Sequence, residues 1–151
     1  MTGFGRQGMA PQQRCPCGGG SLGASYGSCC RPLHRQERLA DTAEQLMRSR
    51  YSAYALAEIE HLLRTQPSQQ PERQQPEPQS RRSLEASCRE LQWRGLEIVA
   101  TEAGGPADLE GTVTFVAHYS ARGRRGQLRE CSRFGREGGR PDGAWLYLEA
   151  L

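Results

Sequence analysis

Apolar positions recur with helical spacing in the first half of the chain and alternate in the second half, which divides the sequence into a helical part and a strand part. Residues 43–64, AEQLMRSRYSAYALAEIEHLLR, contain no proline or glycine, and Asp41 and Thr42 stand ready as caps, so one long helix is expected there. On a helical wheel Met47, Tyr51, Tyr54, Ala55 and Leu62 form one stripe, and Leu56, Ile59 and Leu63 form a second. Arg50, Glu58 and His61 fall within or beside the first stripe. Such placement requires pairing, escape to solvent at the rim, or a cavity. Residues 65–80, TQPSQQPERQQPEPQS, lack any large apolar side chain and read as a flexible loop. Leu84, Cys88 and Leu91 then predict a shorter helix, with Ser80 or Ser83 as cap and Trp93, Arg94 and Gly95 as its exit. After Gly95 the period becomes two, in GLEIVATEA, GTVTFVAHYS, QLRECSRFGR and AWLYLEA, separated by glycine-rich turns. Short connections between consecutive strands make an antiparallel meander, and the preceding helices must cover one of its faces. The class is α+β, an antiparallel sheet packed on helices.

Composition narrows the chemistry. The 151 residues suit one domain with a small appendage, and a formal net charge of +3 is too mild to mark a nucleic-acid protein by itself; no DNA partner is expected. All twenty basic residues are arginine. Without lysine there is no Schiff-base nucleophile, no pyridoxal phosphate lysine and no phosphate-loop lysine; without asparagine there is no Cys-His-Asn triad.

Four of the six cysteines crowd into sixteen residues, as Cys15-Pro16-Cys17 and Cys29-Cys30 around an eleven-residue glycine-rich loop. Zinc takes four soft ligands in a tetrahedron at about 2.3 Å, so the loop must fold back on itself. Gly18, Gly19, Gly20, Gly23 and Gly27 permit that fold-back, and Pro16 restrains the first ligand pair. The spacing differs from that of common zinc fingers, because one half-site is Cys-x-Cys and the other Cys-Cys. His34, four residues after Cys30, ranks below the cysteines as a substitute ligand. A disulfide framework or a redox pair is the competing explanation, and it depends on compartment. Residues 1–14 lack the apolar core of a signal peptide and read as a flexible N-terminus; no membrane span is visible, so a cytoplasmic protein with no membrane partner is expected. Cys88 and Cys131 read as small buried hydrophobes.

Face assignment in the third strand puts Leu128, Glu130, Ser132 and Phe134 on one side and Arg129, Cys131 and Arg133 on the other. If the first set faces the helices, Glu130 is held inward with Arg50 as a conceivable ion-pair partner. Arg50, Tyr54, Glu130 and Ser132 are thus the candidate lining of a ligand pocket. A structural ion pair and a ligand-binding role are both open for Glu130.

The order CPCGGG, CC, LMRSRYSAYA, HLLRT, QWRGLEI, GTVTFVAHYS and ECSRF resembles the YchJ family of bacterial proteins over about residues 14–149, with LMRSRYSAYA as the specific signature. The resemblance implies a SEC-C type zinc motif at 15–34, of the kind found at the end of the preprotein translocase ATPase, followed by a nuclear transport factor 2-like cone over 40–151, in which the antiparallel sheet is curved. It implies Cys15, Cys17, Cys29 and Cys30 as ligands of a structural zinc ion, and an interior cavity near the long helix. The gap between Cys17 and Cys29 is a few residues longer than in most SEC-C motifs. Some relatives resemble a version with a second such motif at the carboxyl end, which this sequence does not show before Leu151.

Two functional classes follow. The first is a zinc-containing binding or adaptor module for a protein or ribonucleoprotein, with the arginines of residues 120–126 available for RNA phosphate. The second is an isomerase, dehydratase or hydrolase using the cone cavity, for which Glu130, His118, Tyr54 and Arg50 are the titratable or charged candidates. No pair among them has a spacing that demands catalysis, so no catalytic residue is assigned. The adaptor is the leading expectation.

Overall fold

The computed structural model describes residues 9–67 and 80–151. The flexible segments expected at 1–14 and 65–80 therefore lie mostly outside the described residues. Where they are described they pack. Gln13 O accepts from Tyr26 N–H at 2.7 Å, Met9 touches the core, and Thr65 is buried.

Among the described residues four α-helices precede four strands: α1 (Arg31–His34), α2 (Ala43–Leu56), α3 (Ile59–Arg64), α4 (Arg81–Glu90), β1 (Gln92–Ala103), β2 (Glu110–Ala121), β3 (Arg124–Arg136) and β4 (Trp145–Ala150). Thr42 begins α2 from an extended conformation, and its hydroxyl accepts from Gln45 N–H at 3.1 Å while Gln45 Oε1 accepts from Asp41 N–H at 2.8 Å. These bonds satisfy donors that a helix start leaves unpaired. Ser80 caps α4 in the same way, accepting from Ser83 N–H at 3.2 Å.

The helix expected over 43–64 is broken. Ala57 adopts a left-handed conformation with φ 59°, and both Ala57 and Glu58 N–H close onto Ala53 O before α3 begins. Helix propensity favours continuation, so tertiary bonds decide. Turning at Ala57 brings Leu62 O and Thr65 Oγ1 within 3.0 and 2.6 Å of Arg50 Nη1, which gives a buried guanidinium its acceptors. It also stacks fully buried Leu62 against Ala53, Leu84 and Cys88, a small core shared by α2, α3 and α4. Arg81 and Glu60 tie α4 to α3.

The sheet runs β1-β2-β3-β4, each pair antiparallel, as the meander requires. Register shifts at Trp93/Gly95 and Ile98/Ala100 in β1, and at Leu148 of β4 opposite Arg133/Phe134, bend the strands and coil the sheet around α2. In β2, Val113, Phe115 and Ala117 alternate inward and meet Leu46, Met47, Tyr51, Phe134 and Trp145. Trp145 Nε1 donates to Asp41 O at 3.2 Å, joining the last strand to the entry of α2.

Two strand assignments differ from expectation. The strand starts at Gln92 rather than after Gly95, because Trp93 pairs with Tyr119 across the ladder and packs edge-on against both Tyr51 and Tyr119; Gly95 sits just past the bulge instead of ending a helix. In β3, Ser132 and Phe134 face inward, but Leu128 is 40% exposed and Glu130 half-buried, since that end of the strand extends past the helices. His118 points outward and meets Glu97 at 3.3 Å.

Gly104 shows how closely the first hairpin approaches α2. Its φ is 77°, its carbonyl accepts from Ala43 N–H at 2.9 Å, and a Cβ there would stand 2.8 Å from Ala43 Cβ. Gly123 has a similar φ of 78° with nothing near a Cβ. Gly123→Ala should therefore cost about 1 kcal/mol from backbone strain alone, and Gly104→Ala about 2–4 kcal/mol from strain plus collision. Urea unfolding of the two variants checks this, and equal losses would show that the contact with Ala43 yields freely.

Candidate metal centre

The cysteine segment folds back through left-handed glycines, with Gly18, Gly19 and Gly20 at φ 91°, 73° and 70°. A Cβ on Gly19 would lie 2.2 Å from Ala24 N, so glycine is required where the loop returns. Cys15 N–H donates to Ala24 O at 3.3 Å and Ala24 N–H to Gly19 O at 3.0 Å, closing the loop into a narrow hairpin with Arg14 bridged to Ser25. A 3-10 turn over Tyr26–Ser28 then ends at Cys29, and Cys30 opens α1 with Pro32 in its first turn. The adjacent cysteines diverge there because Cys29 is at ψ −92° and Cys30 at ψ −23°.

All four sulfurs converge within 4.8 Å of one another. Cys17 and Cys29 Sγ are 3.5 Å apart, and Cys29–Cys30 and Cys30–Cys17 are each at 3.8 Å. A tetrahedron with metal–sulfur bonds of about 2.3 Å has edges of about 3.8 Å, so the donor set matches a thiolate-bound zinc ion. The separations are far from the bond length of about 2.05 Å in a disulfide, and all six cysteines are free. Cys15, Cys17 and Cys30 are buried, Cys29 half-buried. Bonds from Cys15, Cys29 and Cys30, together with Gly19 N–H at 3.3 Å, hold the Cys17 thiol far below its usual range, while Cys29 and Cys30 are pushed up by their neighbours. Cys15 is raised by Cys17 but lowered further by bonds from Cys29, Cys30 and Ser52, and ends at about 7, so the repulsion falls on Cys29 and Cys30. A divalent cation at the centre would remove that repulsion and let all four ionise.

His34 is not in this cluster. Its Nε2 donates to Ser49 O at 2.8 Å, so Nδ1 is the acceptor for Tyr26 O–H at 2.7 Å, and both ring nitrogens are occupied away from the sulfurs. The ring packs, tilted by 60°, with its centroid 4.8 Å from that of His61, whose Nε2 bonds Ser49 Oγ at 2.8 Å. Ser49 Oγ gives its one proton to Leu46 O and therefore accepts from His61. Ser52, fully buried on the same helix, donates to Cys30 Sγ at 3.3 Å and lies 3.5 Å from Cys15 Sγ. Arg48 donates to Cys17 O at 3.0 Å and to Glu44 at 2.9 Å, and Arg64 donates to His34 O at 3.1 Å. Thus α2 reads the motif through Arg48, Ser49 and Ser52. Sequence reasoning passed over these residues, although three polar side chains at helical spacing inside an otherwise buried helix are a visible signal.

The pocket candidates gather on the opposite side of α2. Arg50, only 7% exposed, donates to Leu62 O and Thr65 Oγ1 and lies over the Tyr147 ring at 4.8 Å. The expected Arg50–Glu130 contact pair is replaced by these bonds. Glu130 accepts from Ser132 Oγ at 2.6 Å, and its charge reaches Arg50, Tyr54 and Tyr147 only through space. Tyr54 stands 6.4 Å from Trp93, and burial raises its phenol above the usual range.

Burial, with His34 and two arginines nearby, holds His61 down at about 2, and burial lowers His34 as well. An unfolded histidine takes up its proton near pH 6.5, so below that pH the unfolded chain binds more protons than the folded one and stability falls. Between about pH 7 and pH 5, His61 alone should remove about 2 kcal/mol. His61→Gln should flatten that loss when unfolding is followed across the same range; an unchanged slope would mean that His61 is not the group responsible.

Comparison with known proteins agrees with this architecture. Residues 42–150 match the family described as YchJ, middle NTF2-like domain. A UPF0225 protein of Geobacter sulfurreducens is 43% identical over 89% of this chain and 76% of its own length, and one from Chromobacterium violaceum is 43% identical over 91% of each. The crystal structure of a SEC-C motif containing protein from Psychrobacter arcticus superposes with TM-score 0.74 at 29% identity, covering 92% of this chain and 82% of that one. The solution structure of a SEC-C motif containing protein from Rhodopseudomonas palustris gives TM-score 0.72 at 30% identity over 92% and 98%. With its cysteine cluster placed before a matched NTF2-like domain, the chain belongs to the YchJ family.

Proposed function

We propose that the chain is a zinc-binding adaptor of the reducing cytoplasm, in which one structural zinc ion held by Cys15, Cys17, Cys29 and Cys30 presents a rigid surface to a protein or ribonucleoprotein partner. The observation that carries this reading is the closed donor set: four sulfurs at tetrahedral spacing fill every position of the ion. A catalytic zinc keeps an open site for water or substrate, and this arrangement offers none. Free thiols at these distances suit a reducing compartment, and among the described residues no helix is long and apolar enough to cross a membrane. On the other side of α2, Arg50 and Glu130 spend their polar atoms on Leu62, Thr65 and Ser132, which supports a structural rather than a catalytic role for that cluster.

Purified protein should carry about one zinc per chain, released by thiol-modifying reagents. Cys17→Ser and Cys30→Ser should each abolish stoichiometric zinc in elemental analysis. Because α2 bonds directly to the motif, both should also lower the stability of the helical part. Fully reduced, metal-free protein with wild-type stability would overturn the zinc reading. For the adaptor role, a partner crosslinked to the zinc-loaded chain in bacterial extract should be lost with Cys17→Ser and retained with Glu130→Gln. A small molecule that copurifies with the unmodified protein and disappears with Glu130→Gln would instead make the cone an enzyme site.

A further inference from the structure

A cleft of about 860 Å³ opens where the end of α4, the start of β1 and the β2–β3 hairpin meet. Its lining includes Arg89, Arg94, Arg122 and Arg125 against a single carboxylate, Glu90. Those three surplus charges equal the formal net charge of the whole chain, so the rest of the sequence balances to zero and the excess is concentrated in one concavity. Among the described residues, Arg89, Arg122 and Arg125 make no ion pair or hydrogen bond, so their charges are open to a ligand, whereas Arg140 outside the cleft is paired with Asp142. Arg94 is positioned by neutral groups, donating to Gln92 Oε1 and Ser120 Oγ at 3.1 Å each, and keeps its charge for an incoming anion.

The hairpin tip supports the same direction. Arg122 and Gly123, the two residues between β2 and β3, have φ 51° and 78°, the geometry of a tight hairpin turn for which asparagine or glycine is favoured at the first position. An arginine held in the left-handed region places a guanidinium at the lip of the cleft at a conformational cost. The end of α4 and Glu90 work against a bare anion, yet four guanidinium groups outweigh them. A carboxylate repels phosphate but accepts from the sugar 2′-hydroxyl, which ribose has and deoxyribose lacks. Among the described residues no aromatic ring lines the cleft, which therefore offers no platform for stacking a base.

We propose that this cleft binds the phosphodiester backbone of single-stranded RNA, with the arginines on phosphates and Glu90 on a 2′-hydroxyl, independent of base sequence. The inference deepens the adaptor reading by naming RNA as the part of the partner that the chain touches. The test is fluorescence anisotropy of the full zinc-loaded chain with a labelled single-stranded RNA, a DNA of the same sequence, a mononucleotide and a polyglutamate peptide. If all four arginines engage, affinity should fall with salt at a logarithmic slope of about −2.8, or about 50-fold between 50 and 200 mM. Arg122→Ala with Arg125→Ala, both exposed and unpaired, should halve that slope, while Arg140→Ala leaves it unchanged. Glu90→Gln should narrow the preference for RNA over DNA. Salt-insensitive binding, no effect of the hairpin pair, equal affinity for DNA, or a preference for the mononucleotide or the peptide would each overturn the proposal. Zinc content and partner capture are read separately, so loss of RNA binding with both intact removes this inference and leaves the adaptor standing, whereas loss of zinc removes the adaptor.

Discussion

Four sulfurs must be brought to one point without covalent bonds between them, and the buried polar residues on one side of α2 answer that demand. A short glycine-rich loop has little apolar surface of its own, so it cannot hold a shape by burial. It leans on the helix instead. Ser52 reaches two of the sulfurs, Arg48 takes the Cys17 carbonyl, and the Ser49 carbonyl anchors His34. A helix facing only a sheet would place apolar residues at those positions. Here both sides of α2 are engaged, which is why Ser49, Arg50, Tyr51, Ser52 and Ala53 are buried in succession.

The same helix therefore divides its polar contacts between two clients. Ser49 and Ser52 serve the cysteine motif, while Arg50 turns to α3 and the Tyr147 ring. A buried guanidinium without a contacting carboxylate is tolerated because a carbonyl, a hydroxyl and an aromatic face surround it. Replacing the carbonyl by an intact helical hydrogen bond would strip away part of that shell, so the break at Ala57 and the burial of Arg50 are two aspects of one solution.

Much of this was legible in the sequence. Alternation in 111–119 located the central strand, and the cysteine spacing located the cluster, because both are short-range patterns with a direct physical reading. The helix break was not legible: Ala57 and Glu58 carry no breaker signal, and the acceptors that favour the turn come from residues that meet Arg50 only in three dimensions. Leu128 misled for a related reason. Strand periodicity names a face but not how far the helices extend along it, and β3 outruns its cover. The contact pair expected between Arg50 and Glu130 failed because sharing a side of the sheet does not fix a distance. His34 and His61 each stood out in the sequence, but their grouping around Ser49 went unseen because it joins α1, α2 and α3 only in three dimensions.

The bond from Trp145 to Asp41 joins residues separated by 104 positions. During synthesis the cysteines leave the ribosome first and β4 last, so α2 has a partner on its motif side long before the sheet exists to cover the other. A lone helix of fourteen residues is marginal in water. If the cysteines capture the proposed metal as they emerge, that segment would give α2 its earliest tertiary support, and chains lacking the final strand would carry an apolar helix face still uncovered. Such truncated chains would be natural substrates for quality-control proteases.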